Sequence, residues 1–423
     1  MKRVRLLDVA TLCAFFVVGP VLAESSDFEE ILVKGRVLQS DQMNALKTPT
    51  LIINVPQSLS IVTDEDVRKK GFKEIGDIVR YTPGINTSLG EGHRDAVVFR
   101  GVRSTADFYQ DGVRDDVQYY RPLYNVEQVE VLRGPNALLF GRGGTGGIIN
   151  RVSKKAVNGQ DFKTVDIGID SFGATDLAAD VNTNLSDSVA FRLNVHSDSL
   201  ENHRDFYNGD RFGINPTVSI ALDSDTDLDL SYEYIDHERF IDRGIPTANG
   251  EPVKALSDIV FGDKDGNLNT VEASVLRAAL SHRFSDSIKG SLSLTSSSFE
   301  KMYQNTYANS YDLDTNVVEM DGYHDPTERD NLILSASLVN ELNFANMTHT
   351  ILAGFESVKT DNTNKRFNTY WTTNDCDVSN YDRESFAVAD PIDFSVNASG
   401  TATAVEYTNS CALKSNTETD ITV

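Results

Sequence analysis

From Phe162 onward the sequence alternates apolar and polar residues over segments too long and too numerous for a small soluble sheet. In Thr226 to Tyr234, Leu228, Leu230, Tyr232 and Tyr234 share one face, while Asp227, Asp229, Ser231 and Glu233 share the other. Val189, Phe191, Leu193 and Val195 repeat the pattern, as do Leu332, Leu334, Ala336 and Leu338, then Ile351, Ala353 and Phe355. A period of two with lipid on one side and water on the other is the signature of a membrane-spanning β-barrel. The links point the same way. Leu185 to Ser188, Asp223 to Thr226, Phe284 to Ser287 and Phe344 to Met347 read as tight turns. Links near Leu200 to Gly209, Ile241 to Thr270 and Tyr303 to Glu328 read as long loops, with a short one at Asp170 to Ala174. A soluble sandwich needs neither this asymmetry nor strands of about ten residues. Average composition does not oppose the reading, because alternation dilutes hydropathy: 40% of the 423 residues are hydrophobic. The net charge of −24 argues against a nucleic-acid partner.

Before the alternation lies a different kind of sequence. Val129, Val131 and Leu132 begin a β-rich run that Arg133-Gly134-Pro135 breaks. Gly141, Gly143, Gly144, Gly146 and Gly147 follow, and Ile148 to Val152 resumes extended structure before Lys154-Lys155. The glycines contain a G-x-G-x-x-G spacing, but a dinucleotide site requires a helix directly after it. Here β-branched residues follow instead, so the glycines serve close backbone approach. Upstream, Val55 to Val62 predicts a strand. Thr63 with Asp66 predicts a capped helix ending near Gly71, and Glu74 to Tyr81 predicts a second helix with Ile75, Ile78 and Val79 on one face.

Taken together, the wording VPQSLSIVT…IGDIVRYTPGI and DGVRDDVQYYRPLYNVEQVEVLRGPNALLFGRGGTGG closely resembles the plug domain of TonB-dependent outer-membrane receptors, especially the ferric-catecholate branch. The resemblance implies an α+β plug domain followed by an antiparallel transmembrane β-barrel, here incomplete, with about nine of roughly twenty-two strands. Met1 to Ala23 predicts a signal peptide, residues 24–50 a linker, residues 51–158 the plug and residues 159–423 a partial barrel with extracellular loops. Ile31, Leu32, Val33, Lys34 and Gly35 resemble the TonB box, through which the energy-transducing complex would pull by strand addition.

The resemblance also assigns roles. Loops carrying His93, Arg94, Arg103, Phe108, Tyr119, Tyr120 and Arg121 would face a ferric siderophore, rings stacking on aromatic groups and guanidinium groups attracting an anionic complex. Arg100, Glu127, Glu130 and Arg133 would hold plug to barrel wall. Cys376 and Cys411, an even pair in an exported chain, suggest one disulfide. No cofactor of the chain's own is implied, since iron would arrive as the ferric-siderophore ligand; outer-membrane lipid would contact the apolar rows. Asp263 to Asn269 fails the spacing of a calcium loop and reads as an acidic surface loop. Nothing in the sequence argues for an enzyme. The residues after Asn362 read as a long extracellular loop, Ile351 to Lys359 as an open strand edge, and the chain as a fragment or truncated product. A receptor for another ligand such as haem, or a passive pore, stays open.

Overall fold

The computed structural model describes residues 42–43, 50–51, 57–134, 146–345, 347–375 and 382–423. The signal-peptide and TonB-box segments, Gly141, Gly143, Gly144 and Cys376 lie outside the described residues.

The α+β unit begins with β1 (Ser58–Thr63), α1 (Asp64–Lys70) and α2 (Ile75–Arg80). Thr63 caps α1 by accepting the Asp66 N–H at 3.2 Å. Asp64, Glu65 and Asp66 occupy the first turn and Arg68, Lys69 and Lys70 the last, so side-chain charge opposes the helix dipole at both ends. Gly71 ends α1 at φ 64°. A capping box between Glu74 and Asp77 starts α2, which buries Ile75, Ile78 and Val79. Short strands follow: β2 (Ile85–Thr87), β3 (Val97–Phe99), β4 (Val102–Ser104), β5 (Phe108–Gln110), β6 (Val113–Arg114), β7 (Val126–Arg133) and β8 (Gly147–Ser153). They form a three-stranded sheet, β2-β3-β4, and a five-stranded sheet, β1-β7-β8-β5-β6. The two helices pack on these sheets over a core that includes Val67, Phe72, Ile75, Val97, Phe99, Phe108, Val129 and Ile149.

After the glycine segment the chain enters β8, antiparallel to β7, rather than a helix. At Gly147, with φ 152°, a Cβ would lie 2.4 Å from the Leu132 carbonyl oxygen and 2.6 Å from the Phe99 ring. Close approach is therefore what this glycine supplies, and the dinucleotide geometry is excluded.

The remaining chain builds one antiparallel wall in sequence order: β9 (Phe162–Ile169), β10 (Thr175–Ser186), β11 (Val189–Glu201), β12 (Asn208–Ala221), β13 (Thr226–Phe240), β14 (Leu268–Arg283), β15 (Ile288–Asp312), β16 (Val317–Phe344), β17 (Met347–Asn368) and β18 (Leu413–Thr422). The first nine are the strands expected up to Asn362. The four predicted tight turns lie at one end, and the links 202–207 and 241–267 at the other. On β11 the alternation is literal: Ala190, Arg192, Asn194 and His196 are buried against the α+β unit, and the Val189–Val195 row faces away. Outward apolar side chains such as Ile167, at 81% exposure, continue that outer face.

Three expectations require correction. Tyr303 to Glu328 is not a loop, because β15 and β16 pair continuously through Asp312↔Val317 and turn only at 313–316. The residues after Asn362 are not simply loop, because β18 pairs with β17 from Lys359 to Phe367. The edge of β17 is thus covered from Val358 onward, where Val358 and Val423 exchange backbone bonds at 2.8 Å, and bare of a described partner only before it. At the loop end, Phe261, Val318, Met320, Trp371, Phe386 and Ile392 form a separate apolar cluster that ties links 241–267 and 369–412 to the β15–β16 tip. Asp263 sits within this assembly, accepting from the Tyr407 hydroxyl at 3.0 Å.

Candidate functional site: the apex of the α+β unit and its seat on the wall

The loop 89–94 rises to the loop end of the wall. At Gly92, φ 79°, a Cβ would meet Ile241 Cγ2 at 3.1 Å and the Asp242 carbonyl oxygen at 3.3 Å, so a side chain would push the loop off the wall. Next to it, His93 stacks on Tyr303 with ring centroids 3.8 Å apart. The Tyr303 hydroxyl donates to the Glu91 carbonyl at 2.9 Å, and the Tyr323 hydroxyl donates to the Glu91 carboxylate at 3.1 Å. Arg94 pairs with Glu91 at 3.0 Å and donates to Gln118 at 2.7 Å. A hydrogen bond with His93 draws the Glu91 carboxyl down to about 2 against its burial, with Arg94 helping. Burial holds the His93 imidazole down to about 3, although Glu91 pulls the other way. The loop therefore meets the wall as a carboxylate beside a neutral imidazole at neutral pH.

Above this contact the wall supplies cations interleaved with rings. The Arg243 guanidinium lies 4.0 Å from the Tyr307 ring centroid and 5.8 Å from that of Tyr323; the Arg366 guanidinium lies 4.1 Å from the Tyr323 centroid. Tyr303 and Tyr323 are 5.4 Å apart. Arg366 is held by the Asp325 carboxylate, so the cluster offers planar faces and the charge of Arg243 to a flat, anionic ligand.

The predicted ligand residues divide. His93, Arg94 and Tyr120 belong to this apex, and Arg103 is exposed on β4. Phe108, at 1% exposure, is part of the unit's core, where no ligand reaches it. Tyr119 is buried in an apolar contact with Val117, Ile235, Val275 and Phe299. Arg121, also at 1%, is an interior strut: it donates to Asp115 Oδ2 at 2.9 Å, to Asp95 Oδ2 at 3.4 Å and to the carbonyls of Asp115, Val117 and Tyr119. Burial pushes the Asp95 carboxyl up to about 6 despite Arg121. Asp115 goes the other way: burial alone would raise it, but Arg121 and Arg151 outweigh that and hold it low.

The predicted anchors divide too. Glu127 reaches the wall, 3.5 Å from Arg192. Arg133 instead donates to Ser58 and Ser60, and Glu130 accepts from Gln128 and Asn150, all within the α+β unit. Arg100 is exposed, and among the described residues no ion pair joins it to the wall. The seat is made elsewhere. Glu74 pairs with Arg239 at 2.8 Å and Arg211 at 3.2 Å; Lys73 with Asp176 at 2.8 Å; Lys154 with Asp180 at 3.0 Å; Asp116 with Arg329 at 2.6 Å. Asn125 donates to Glu233 at 2.9 Å. Cys411 is disulfide-bonded.

A sheet-and-helix unit seated by polar contacts on a long antiparallel wall agrees with what known proteins show. Residues 52–148 match the TonB-dependent receptor plug domain. The α+β unit is therefore similar to the plug domain of TonB-dependent receptors. Among similar proteins, the probable TonB-dependent siderophore receptor PiuA of Acinetobacter baumannii is 29% identical over 264 residues, which is 59% of this chain and 35% of that protein. The catecholate siderophore receptor Fiu of Escherichia coli K12 is 29% identical over 208 residues, 46% of this chain and 26% of Fiu. The chain thus spans about a third of the length of the curated relatives it matches. The crystal structure of PiuA superposes with a TM-score of 0.73 at 21% identity, covering 86% of this chain and 55% of that one. The ferripyoverdine receptor of Pseudomonas aeruginosa superposes at 0.74 with 18% identity, covering 90% and 50%. These last two likenesses concern fold alone.

The site residues that sequence reasoning passed over are Arg243, Tyr303, Tyr307, Tyr323 and Arg366. A signal was present: Tyr303, Asn305 and Tyr307 alternate at strand period. Read as loop, that stretch lost its meaning.

Proposed function

We propose that the whole protein takes up a ferric siderophore across the bacterial outer membrane, driven by the TonB energy-transducing complex. The observation that carries this reading is the cluster Arg243, Tyr307, Tyr323 and Arg366, set directly above the plug apex at the loop end of the wall. A ferric chelate with aromatic donor groups is flat-faced and anionic, so rings and guanidinium groups suit it together. Outer-membrane lipid would cover the outward rows on β9 to β17. Ile31 to Gly35 would pair with a partner's sheet edge. Tension passed along the chain would reach the antiparallel pair 42–43 and 50–51 and then β1, an end strand of the five-stranded sheet. Uptake then needs the pulled plug to favour an open arrangement over the closed one.

The test is uptake of radioactive iron by an iron-starved deletion strain carrying the full-length gene, across a panel of purified ferric chelates. At least one catecholate chelate restores uptake. Arg243→Ala and Tyr323→Ala each weaken binding of that chelate by about tenfold, the factor for about 1.4 kcal/mol. Deleting residues 31–35 abolishes uptake while surface binding persists. Unchanged uptake after that deletion would make the protein a passive pore.

A further inference from the structure

Arg239, on β13, shares with Arg329 an ion pair made to the plug, to Glu74 and Asp116 respectively, but is the more deeply buried of the two, 5% against 21% exposed. Arg192, Arg211 and Arg277 each also pair with a wall carboxylate: Asp180, Asp198 and Glu233 respectively. Among the described residues, the ion-pair partner of Arg239 is on the plug: Glu74, at 2.8 Å. Its guanidinium carbon also lies 4.0 Å from the centroid of the Tyr120 ring, with the arginine side chain about 5% exposed. Both contacts lead further into the plug. The Tyr120 hydroxyl donates to the Leu89 carbonyl at 3.3 Å, at the base of the apex loop. Glu74 is the N-cap of α2, its side chain accepting the Asp77 N–H in the capping box.

A guanidinium is a rigid plane. A ring that shifts beneath it tilts the plane and with it the Nη2 donor aimed at Glu74. That carboxylate must then be redistributed between Arg211, 3.2 Å away, and the α2 cap. We propose that Arg239 is a positioning residue through which the wall, rather than the plug core, couples the apex at Tyr120 to the N-terminus of α2. Occupancy of the apex thereby alters the helix that follows β1 and α1 in the pulled segment. The second step rests on the uptake reading above; the coupling itself does not.

The experiment is hydrogen exchange of the full chain in detergent, read at Asp77 to Arg80, for wild type, Tyr120→Leu, Arg239→Lys and the double variant. Arg239→Lys keeps a charge beside Glu74 but loses the planar fork. Without chelate, each single variant speeds exchange by about fivefold, the factor expected for loss of a helix N-cap, and the double variant adds nothing further. Singles whose factors multiply in the double, or a Tyr120→Leu profile equal to wild type, overturn the proposal. Should Arg239→Lys fail to fold, Tyr120→Leu against wild type decides alone. With saturating ferric tris-catecholate, exchange at these amides changes in wild type and not in Arg239→Lys. A response that persists in Arg239→Lys overturns the transmission step. A wild-type chain that takes up no chelate overturns the uptake reading, and the ligand-free cycle then decides the coupling.

Discussion

Arg121→Met gives the sharpest test of how this plug holds together. Arg121 lies wholly inside, bonded to two carboxylates and three carbonyls and stacked 4.0 Å from the Phe108 ring centroid. Methionine matches its length and leaves Asp115, Asp95 and those carbonyls short of a donor. Removing one partner of a buried ion pair costs about 3–5 kcal/mol. The lower end applies here, because Arg151 stays 2.9 Å from Asp115 Oδ2 and keeps that charge paired. With a urea slope of about 2 kcal/mol/M for a domain this size, a loss of about 3 kcal/mol moves the plug midpoint down by about 1.5 M. The chain's one tryptophan, Trp371, sits in the loop-end cluster and does not report on the plug. The assay is therefore pulse proteolysis in urea, following peptides from β7. A midpoint within about 0.5 M of wild type, with chelate binding lost, would refute the strut and restore Arg121 as a ligand contact.

Two acid-range slopes should oppose one another. His93, whose folded-state pKa lies below its unfolded value of 6.5, contributes stability that is present above 6.5 and lost as pH falls toward about 3; His93→Phe should flatten that loss. Asp95, raised from 3.8 to about 6, favours folding below 3.8 and loses that contribution as pH rises through 6. Asp95→Asn should therefore steepen the acid-side decline, and matching profiles for the two variants from pH 4 to 7 would contradict these assignments. Gly147→Ala places a methyl 2.4 Å from the Leu132 oxygen at an unfavourable φ, so the plug should be cleaved by protease under conditions where wild type resists. Equal resistance would mean that β7 and β8 separate without cost.

Much of this fold is written locally. Thr63, Asp66 and Gly71 bound α1 by local chemistry, and the β11 and β13 rows declare their two faces because the side packed on the α+β unit and the outward side carry opposite residues. The signal fades where both sides are wet. Tyr303 to Glu328 continues the ladder past the apolar band, so its alternation has no lipophilic row to mark it. Leu413 to Thr422, with Lys414, Asn416, Glu418 and Asp420 among its residues, fails for the same reason. The site was harder still. Arg121 resembles any loop arginine in sequence; burial follows from Asp95, twenty-six positions away. In the sequence Glu74 reads as the start of a helix, and nothing local reveals that the same carboxylate also meets Arg211 and Arg239. Arg133 misled in the opposite sense, its partners being serines of β1.

The seat of the plug has a property that bears on motion. At several contacts the wall already holds a second partner for the group the plug would leave: Asp180 has Arg192 beside Lys154, and Glu233 has Arg277 beside the Asn125 amide. Arg211 likewise keeps Asp198 if Glu74 departs. An unpaired buried charge is the main cost of breaking such contacts, and this wall avoids it at three positions. Inside the plug the reverse holds. Asp95 depends on Arg121, and that arginine also closes the turn 115–121 through backbone carbonyls, so breaking it strands several polar groups together. Sliding the plug as a packed body is therefore cheaper per contact than unravelling it from the Arg121 strut. Arg239 and Arg329 are the wall arginines that plug movement would leave without their carboxylates, and because Arg239 is the more deeply buried, displacement is felt most there.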